Sequence, residues 1–393
     1  MLPDFDAVIE RRNTHSSKWD GMATHTGVTA PDGLAMWTAD MDFMAPEPVR
    51  QRLSAAVARG IFGYYGADAT WRAAACGWAA RRHGWTVEPD WISPSGGVCA
   101  ALGVCCQAFS EPGDGVVIFA PVYHAFARMI RANRRVVIAA PLVETQGRYA
   151  MDLDALGENL PATARIVFLC SPHNPGGTVW TRDELKALAD FCVARGLVLV
   201  SDEVWRDLVY PGARHTPTAL AAPEASAALV TCAAPSKTFN LAGGKLSEVI
   251  IEDAALRARY RAAAAATNDM EMPLMGALAA EAAYDQGQPW LDALIPYLAA
   301  NRDLFAAGLA VAAPGARVMD MAATYLAWTD FTGTGLPEAD VARRLRDVAR
   351  IGVSAGPSFG HGGEGRARFN LACPRSVVAQ ALERIADAFA DLR

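Results

Sequence analysis

The sequence has little net charge, no cysteine spacing suited to a metal, and no apolar run long enough for a bilayer. Its 36 basic and 42 acidic side chains leave a formal charge of −6. A phosphate backbone demands a strongly basic face, so nucleic acid is not expected as the main partner. The eight cysteines (76, 99, 105, 106, 170, 192, 232 and 373) form no CxxC and no Cys/His ligand pattern, which leaves no metal site to propose. Most lie in apolar runs such as IVFLC and read as buried, reduced thiols, with Cys105–Cys106 packing within a helical pattern. The most apolar helical stretch, GGVCAALGVCCQAF (96–109), is too short to span hydrocarbon. The N-terminal MLPDFDAVIERRNTHSSKWD lacks the basic-then-apolar order of a signal peptide. Repeats and low-complexity tracts are also missing. The expectation is a soluble, cytoplasmic protein with no membrane partner.

What is present is an alternation. Short β-rich runs, VVIFA (116–120), RVVIAA (135–140), IVFLC (166–170), LVLVS (197–201), LVTC (229–232) and EVIIE (248–252), are separated by helical patterns. Near-continuous apolar strands between helices imply an α/β fold with a mostly parallel sheet covered on both faces. In TRDELKALADFCVARG (181–196), Thr181 and Glu184 make a capping-box pattern and Gly196 marks the stop. After about residue 285 the pattern changes to a long helix (about 289–311), two strand candidates (ATYLAWTDF and RARFNLA) and a C-terminal helix. The expected division is a large domain over 46–285 and a smaller α+β domain made of 1–45 and 286–393.

In open α/β sheets, ligands sit beyond the carboxyl ends of the strands. Three polar clusters fall there: SPHNPGG after IVFLC, SDEVW after LVLV, and APSKT after LVTC. Each supplies one group, Asn174, Asp202 and Lys237. A strand-end Asp or Asn often only caps a helix, but three in successive units, one a lysine, point to a site for an aldehyde cofactor.

MWTADMDF (36–43), GIFGYY (60–65), SPHNPGGTVW (171–180), SDEVW (201–205), APSKTFNLAG (234–243), SFGHGGEG (358–365) and RFNLACPRS (368–376) together resemble the fold-type-I pyridoxal phosphate enzymes of the class I/II aminotransferase superfamily. Within it they are similar to the cystathionine β-lyase-like C–S lyases of the MalY/PatB type. The resemblance implies the aspartate aminotransferase-like fold and pyridoxal 5′-phosphate as cofactor.

It also implies roles. Lys237 would be the Schiff-base lysine and the Cα base, which requires an amine pKa below the ordinary ~10.4. Asp202 would pair with the pyridinium nitrogen, Asn174 would donate to the ring's O3′, and Tyr123 would stack on the ring. The phosphate would lie on Gly97, Val98 and Cys99 at a helix start, with Ser236 and Lys245. Tyr64 would reach across from a second subunit, which implies a homodimer. Arg368 would clamp the α-carboxylate of an amino-acid substrate through its planar fork, and Asp40 would lie in a loop lining the substrate pocket.

Three positions depart from the family pattern. Trp205 stands where Tyr or His is usual and can donate through its ring N–H but not accept. Gly244 replaces a leucine and leaves room beside Lys245. Glu248, at a strand start, reads first as a surface residue and second as a pocket-shaping one. The leading expectation is a C–S β-lyase acting on a cystathionine-like substrate. An aminotransferase, which reprotonates the same carbanion at the cofactor, and a cofactor-binding regulatory protein stay open.

Overall fold

The computed structural model describes residues 3–392. Its central sheet has eight strands, in spatial order Ile92–Ser95, Ser247–Ile250, Leu229–Ala233, Val198–Asp202, Ala164–Cys170, Gly115–Ala120, Val136–Thr145 and Arg148–Met151. From Leu229–Ala233 to Val136–Thr145 neighbouring strands run parallel. Burial explains their sequences. Ile166 and Phe168 enter the core on one face of the sheet, Val167 and Leu169 the core on the other, so both sets of alternating positions are apolar.

The two sheet edges turn antiparallel, which the apolar runs did not announce. ISPS and RYAM are short, and Pro94 sits in an edge strand, where a missing N–H is tolerated. The helix Arg182–Ala194 starts as its sequence dictates. The Thr181 side chain accepts from the Glu184 N–H, and the Glu184 carboxylate accepts from the Thr181 N–H. A cap of this kind is worth about 1 kcal/mol.

A second, antiparallel sheet orders Arg317–Val318, Leu326–Asp330, Arg366–Asn370 and Ser354–Ala355. The long helix Gln288–Ala312 packs on the C-terminal helix Arg375–Ala388. Buried Asn301, on the long helix, donates to the Leu371 and Cys373 carbonyls at 3.1 and 2.9 Å. The N-terminal segment joins this region, because Leu34–Ala35 pairs in parallel with Ile351–Gly352. Among the described residues no helix is long and apolar enough to cross a membrane.

Candidate active site

Three neighbouring parallel strands deliver the polar groups to one place. Ala164–Cys170 runs out just before Asn174, Val198–Asp202 ends on Asp202, and Leu229–Ala233 leads into the four-residue helix Pro235–Thr238, which carries Lys237. With Tyr123 and Arg368 they line one cavity of about 560 Å³. Gly97, Val98, Cys99, Ser236, Lys245 and Trp205 line the same cavity.

Burial pulls the Lys237 amine down to about 8; the nearby Asp40 charge opposes this, and the Arg368 charge adds to it. Its Nζ donates to the Ala39 carbonyl at 2.7 Å and lies 5.7 Å from the centre of the Trp205 ring. Asp202 is pushed up to about 7 by burial. The Val204 N–H, at 3.1 Å, is the one hydrogen bond its carboxylate accepts among the described residues. A buried carboxylate with a single neutral donor is poised to take a cation.

The loop that receives Lys237 is clamped from two sides. Asn240 donates to the Met41 and Phe43 carbonyls and accepts from the Met41 N–H. Asn370 donates to the Thr38 and Asp40 carbonyls, both at 2.6 Å. The motif asparagines three residues after Lys237 and two after Arg368 thus hold a single turn of chain. Asp40 itself does not line the cavity. Its carboxylate accepts two bonds from Arg11 at 3.1 Å and lies 3.7 Å from buried Lys18, so it turns toward the N-terminal segment and Thr38 and Ala39 form the wall.

Arg368 occupies the middle of the second sheet, paired with Trp328 and Ser354. It donates to Asn174 Oδ1 (2.9 Å), the Trp37 carbonyl (2.8 Å) and Ser354 Oγ (3.1 Å), while its Nε has no partner. Burial lowers it to about 10, and an incoming carboxylate would reverse that. Asn174 spends its oxygen on Arg368, so its amide N–H groups are left without a described partner.

The helix Val98–Phe109 opens on Gly97, whose φ of 110° favours glycine. Asp269, which the sequence did not single out, pins this turn by accepting from the Gly96 N–H (2.9 Å) and from Ser95 Oγ. The N–H groups of Gly97, Val98 and Cys99, Ser236 Oγ and Lys245 Nζ have no hydrogen-bond partner among the described residues.

Tyr64 is not in this cavity. It is 96% exposed, in a stretch that also exposes Ile61 and Phe62. Trp205 is buried edge-on to Tyr325 at 4.8 Å, and its N–H makes no hydrogen bond among the described residues. Glu248 is a correction. It is 1% exposed, not on the surface, and accepts from Tyr284 Oη at 2.8 Å, with burial pushing it up to about 7. A strand start reads as exposed in sequence, but here Leu229–Ala233 and Ile92–Ser95 flank it. Gly244 also serves a different end. Its carbonyl would lie 2.1 Å from a Cβ on Gly276, so the paired glycines allow close approach of the helix Leu274–Gln286 rather than free space by Lys245.

Ser17, His25, Trp37, His124, Arg128 and Ser354 also line the cavity and were not singled out. Trp37 lies inside the stretch MWTADMDF and could have been found there, and His124 directly follows Tyr123. Ser17 and His25 come from a segment with no motif signal.

The sequence pattern of the family "Aminotransferase class I and II" matches residues 36–385. The chain belongs to that family. Among its class I/II relatives, cystathionine beta-lyase PatB of Bacillus subtilis (strain 168) is 41% identical over 383 residues, covering 97% of this chain and 98% of that protein. Protein MalY of Escherichia coli (strain K12) is 31% identical, over 99% of this chain and all of MalY. The crystal structure of cystalysin from Treponema denticola, which contains pyridoxal 5′-phosphate, superposes with a TM-score of 0.95 at 33% identity, covering 100% of both chains. These similarities place the chain in the cystathionine β-lyase-like branch of the family.

Proposed function

We propose that the protein is a pyridoxal-phosphate-dependent C–S β-lyase that converts a cysteine S-conjugate and water to a thiol, pyruvate and ammonia. The observation that carries the reading is Lys237. Its amine is buried, drawn down to about 8, and set in a cavity with an under-partnered carboxylate and a buried arginine. The cystathionine beta-lyase PatB, similar over nearly the whole chain, supports the reaction class, and cystalysin, which contains pyridoxal 5′-phosphate, supports the cofactor.

The groups left without partners fit the cofactor part by part. Asp202 suits its ring nitrogen, the Asn174 amide its phenolic oxygen, and Tyr123 its ring face. The Gly97–Cys99 turn, Ser236 and Lys245 suit its phosphate. When bound, the cofactor supplies an electron sink for the pair left at Cα.

The chain's own residues do the rest. Arg368 fixes the substrate carboxylate and thereby the direction of the Cα–H bond. Near neutral pH the Lys237 amine is partly unprotonated, so it can take and hold the Cα proton while sulfur departs from Cβ. Asp202, ionised once a cation lies opposite, keeps the proton on the ring nitrogen. The Ala39 carbonyl aims Nζ.

The exposed Ile61, Phe62 and Tyr64 support a homodimer in which Tyr64 completes the phosphate site of the second copy. Tyr65, next in sequence, braces that stretch, its hydroxyl donating to the Glu281 carboxylate. The cavity's walls come from both sheets, which supports a division into 46–285 and 1–45 with 286–393.

The test is stoichiometric. Cofactor-loaded protein given cystathionine or another cysteine S-conjugate should release thiol and pyruvate in equal amounts with no keto acid added. Turnover that requires a keto acid, with pyridoxamine phosphate accumulating, would make the protein an aminotransferase instead.

A further inference from the structure

The cavity wall carries four cationic side chains, Lys237, Lys245, Arg368 and Arg128, against one carboxylate, Asp202. The lyase reading absorbs every one of these except Arg128. Arg128 is exposed at the cavity wall and makes no side-chain hydrogen bond or ion pair with any described residue. It stands one turn beyond His124, and the Arg128 N–H donates to the His124 carbonyl at 3.2 Å, so the two side chains share a helix face.

A continuous wall links Arg128 to the substrate end of the site. The Arg368 guanidinium lies 4.9 Å from the centre of the Phe359 ring. Phe359 meets His124 at 6.2 Å, and His124 meets Tyr123 at 4.8 Å. Phe359 is buried behind this wall, whereas Arg368, Tyr123, His124 and Arg128 all line the one cavity, so an amino acid held at Arg368 by its α-carboxylate can extend past Tyr123 and His124 toward Arg128. Burial lowers the His124 pKa and the Arg368 and Arg128 charges lower it further. His124 is thus neutral near pH 7, and Arg128 is the cation at the outer end.

We propose that Arg128 receives an acidic group at the far end of the S-substituent, so that the preferred substrates are cysteine S-conjugates with a distal carboxylate. This inference rests on the lyase reading. A guanidinium facing a carboxylate in a partly enclosed site gives a stronger bond than a neutral pair. No acidic side chain other than Asp202 lines the cavity to compete for it. The other anion at hand is the cofactor phosphate, which Lys245, Ser236 and the helix-start N–H groups would hold; because the Arg128 charge also reaches Cys99 at that helix start, the experiment reads cofactor retention as well.

The experiment uses the cofactor-loaded enzyme and two substrates of the same shape, S-(2-carboxyethyl)-L-cysteine and its amide, S-(2-carbamoylethyl)-L-cysteine. Wild type should cleave the acid with a kcat/KM about tenfold above the amide. Arg128→Ala should bring that ratio close to one, and Arg128→Lys should leave it in between, with cofactor retention, read by absorbance after gel filtration, as in wild type. A wild type without preference for the acid, or a ratio that Arg128→Ala does not change, would overturn the inference alone. So would weakened cofactor retention at an unchanged ratio, which would assign Arg128 to the phosphate. If wild type cleaves neither these compounds nor cystathionine, the lyase reading falls and this inference falls with it; if it cleaves cystathionine but neither of these, this inference alone falls.

Discussion

Asp202 and Asp207 lie five residues apart on one segment, both buried, and their environments push them in opposite directions. Asp202 accepts one backbone N–H and is pushed up to about 7 by burial. Asp207 is just as buried, yet it accepts from His83 Nε2 (2.7 Å), Thr238 Oγ1 (2.7 Å) and Trp78 Nε1 (3.1 and 3.2 Å). Burial opposes ionisation there, but these donors and the nearby Arg206 charge outweigh it and hold Asp207 well below the usual carboxylate range. Burial pushes His83 toward its neutral form, which still donates one N–H. The contrast separates two uses of a buried charge. Asp207 is saturated and ties Thr238, hence the Lys237 turn, to the body of the large sheet. Asp202 is left under-partnered where a ligand cation can complete it.

Substitutions can break that contrast. Asp202→Asn keeps the shape but cannot hold a proton on the ring nitrogen. Steady-state kinetics should show kcat/KM falling about 10³-fold, or ~4 kcal/mol, with thermal stability close to wild type. Asp207→Asn should do the reverse in emphasis. It places an amide N–H among three donors, and denaturant unfolding should show a loss of about 3 kcal/mol. If Asp202→Asn proved the more destabilising and the more active of the two, the contrast would be wrong.

Glu248 gives the smallest effect and sharpens the point with pH. Its folded-state pKa is raised from 4.5 to about 7, so between those values the native state holds a proton that the unfolded state has lost. Stability from this site therefore falls as pH rises from about 4.5 through about 7. Glu248→Gln, which can still accept from Tyr284, removes the effect. Relative to wild type, its unfolding free energy should rise by about 2 kcal/mol between pH 5 and pH 8, and an advantage equal at both pH values would contradict the assignment.

Much of the site was legible because strand ends and their polar clusters are local in sequence. Asn174, Asp202 and Lys237 each follow an apolar run directly, and three parallel neighbours bring them together. What could not be read was set by tertiary neighbours. Glu248 sits at a strand start, and only the flanking strands and Tyr284 bury it. Asp40 is in the expected loop, but its carboxylate is bound by Arg11 and lies near Lys18, from a segment without motif signal, and it acts on Lys237 only as a nearby charge. Gly244 looked like added room because nothing near it in sequence announces Gly276. The short edge strands Ile92–Ser95 and Arg148–Met151 owe their pairing to partners far along the chain.

The central claim is that the lowered amine of Lys237, and not that of Lys245 eight residues on, carries the chemistry. Borohydride reduction of the cofactor-loaded protein, followed by peptide mapping, tests it most directly. The account predicts that the pyridoxyl label is recovered on Lys237 and is lost, together with the visible absorbance band, in Lys237→Ala. A label on Lys245, or an absorbance band that survives Lys237→Ala, would contradict it.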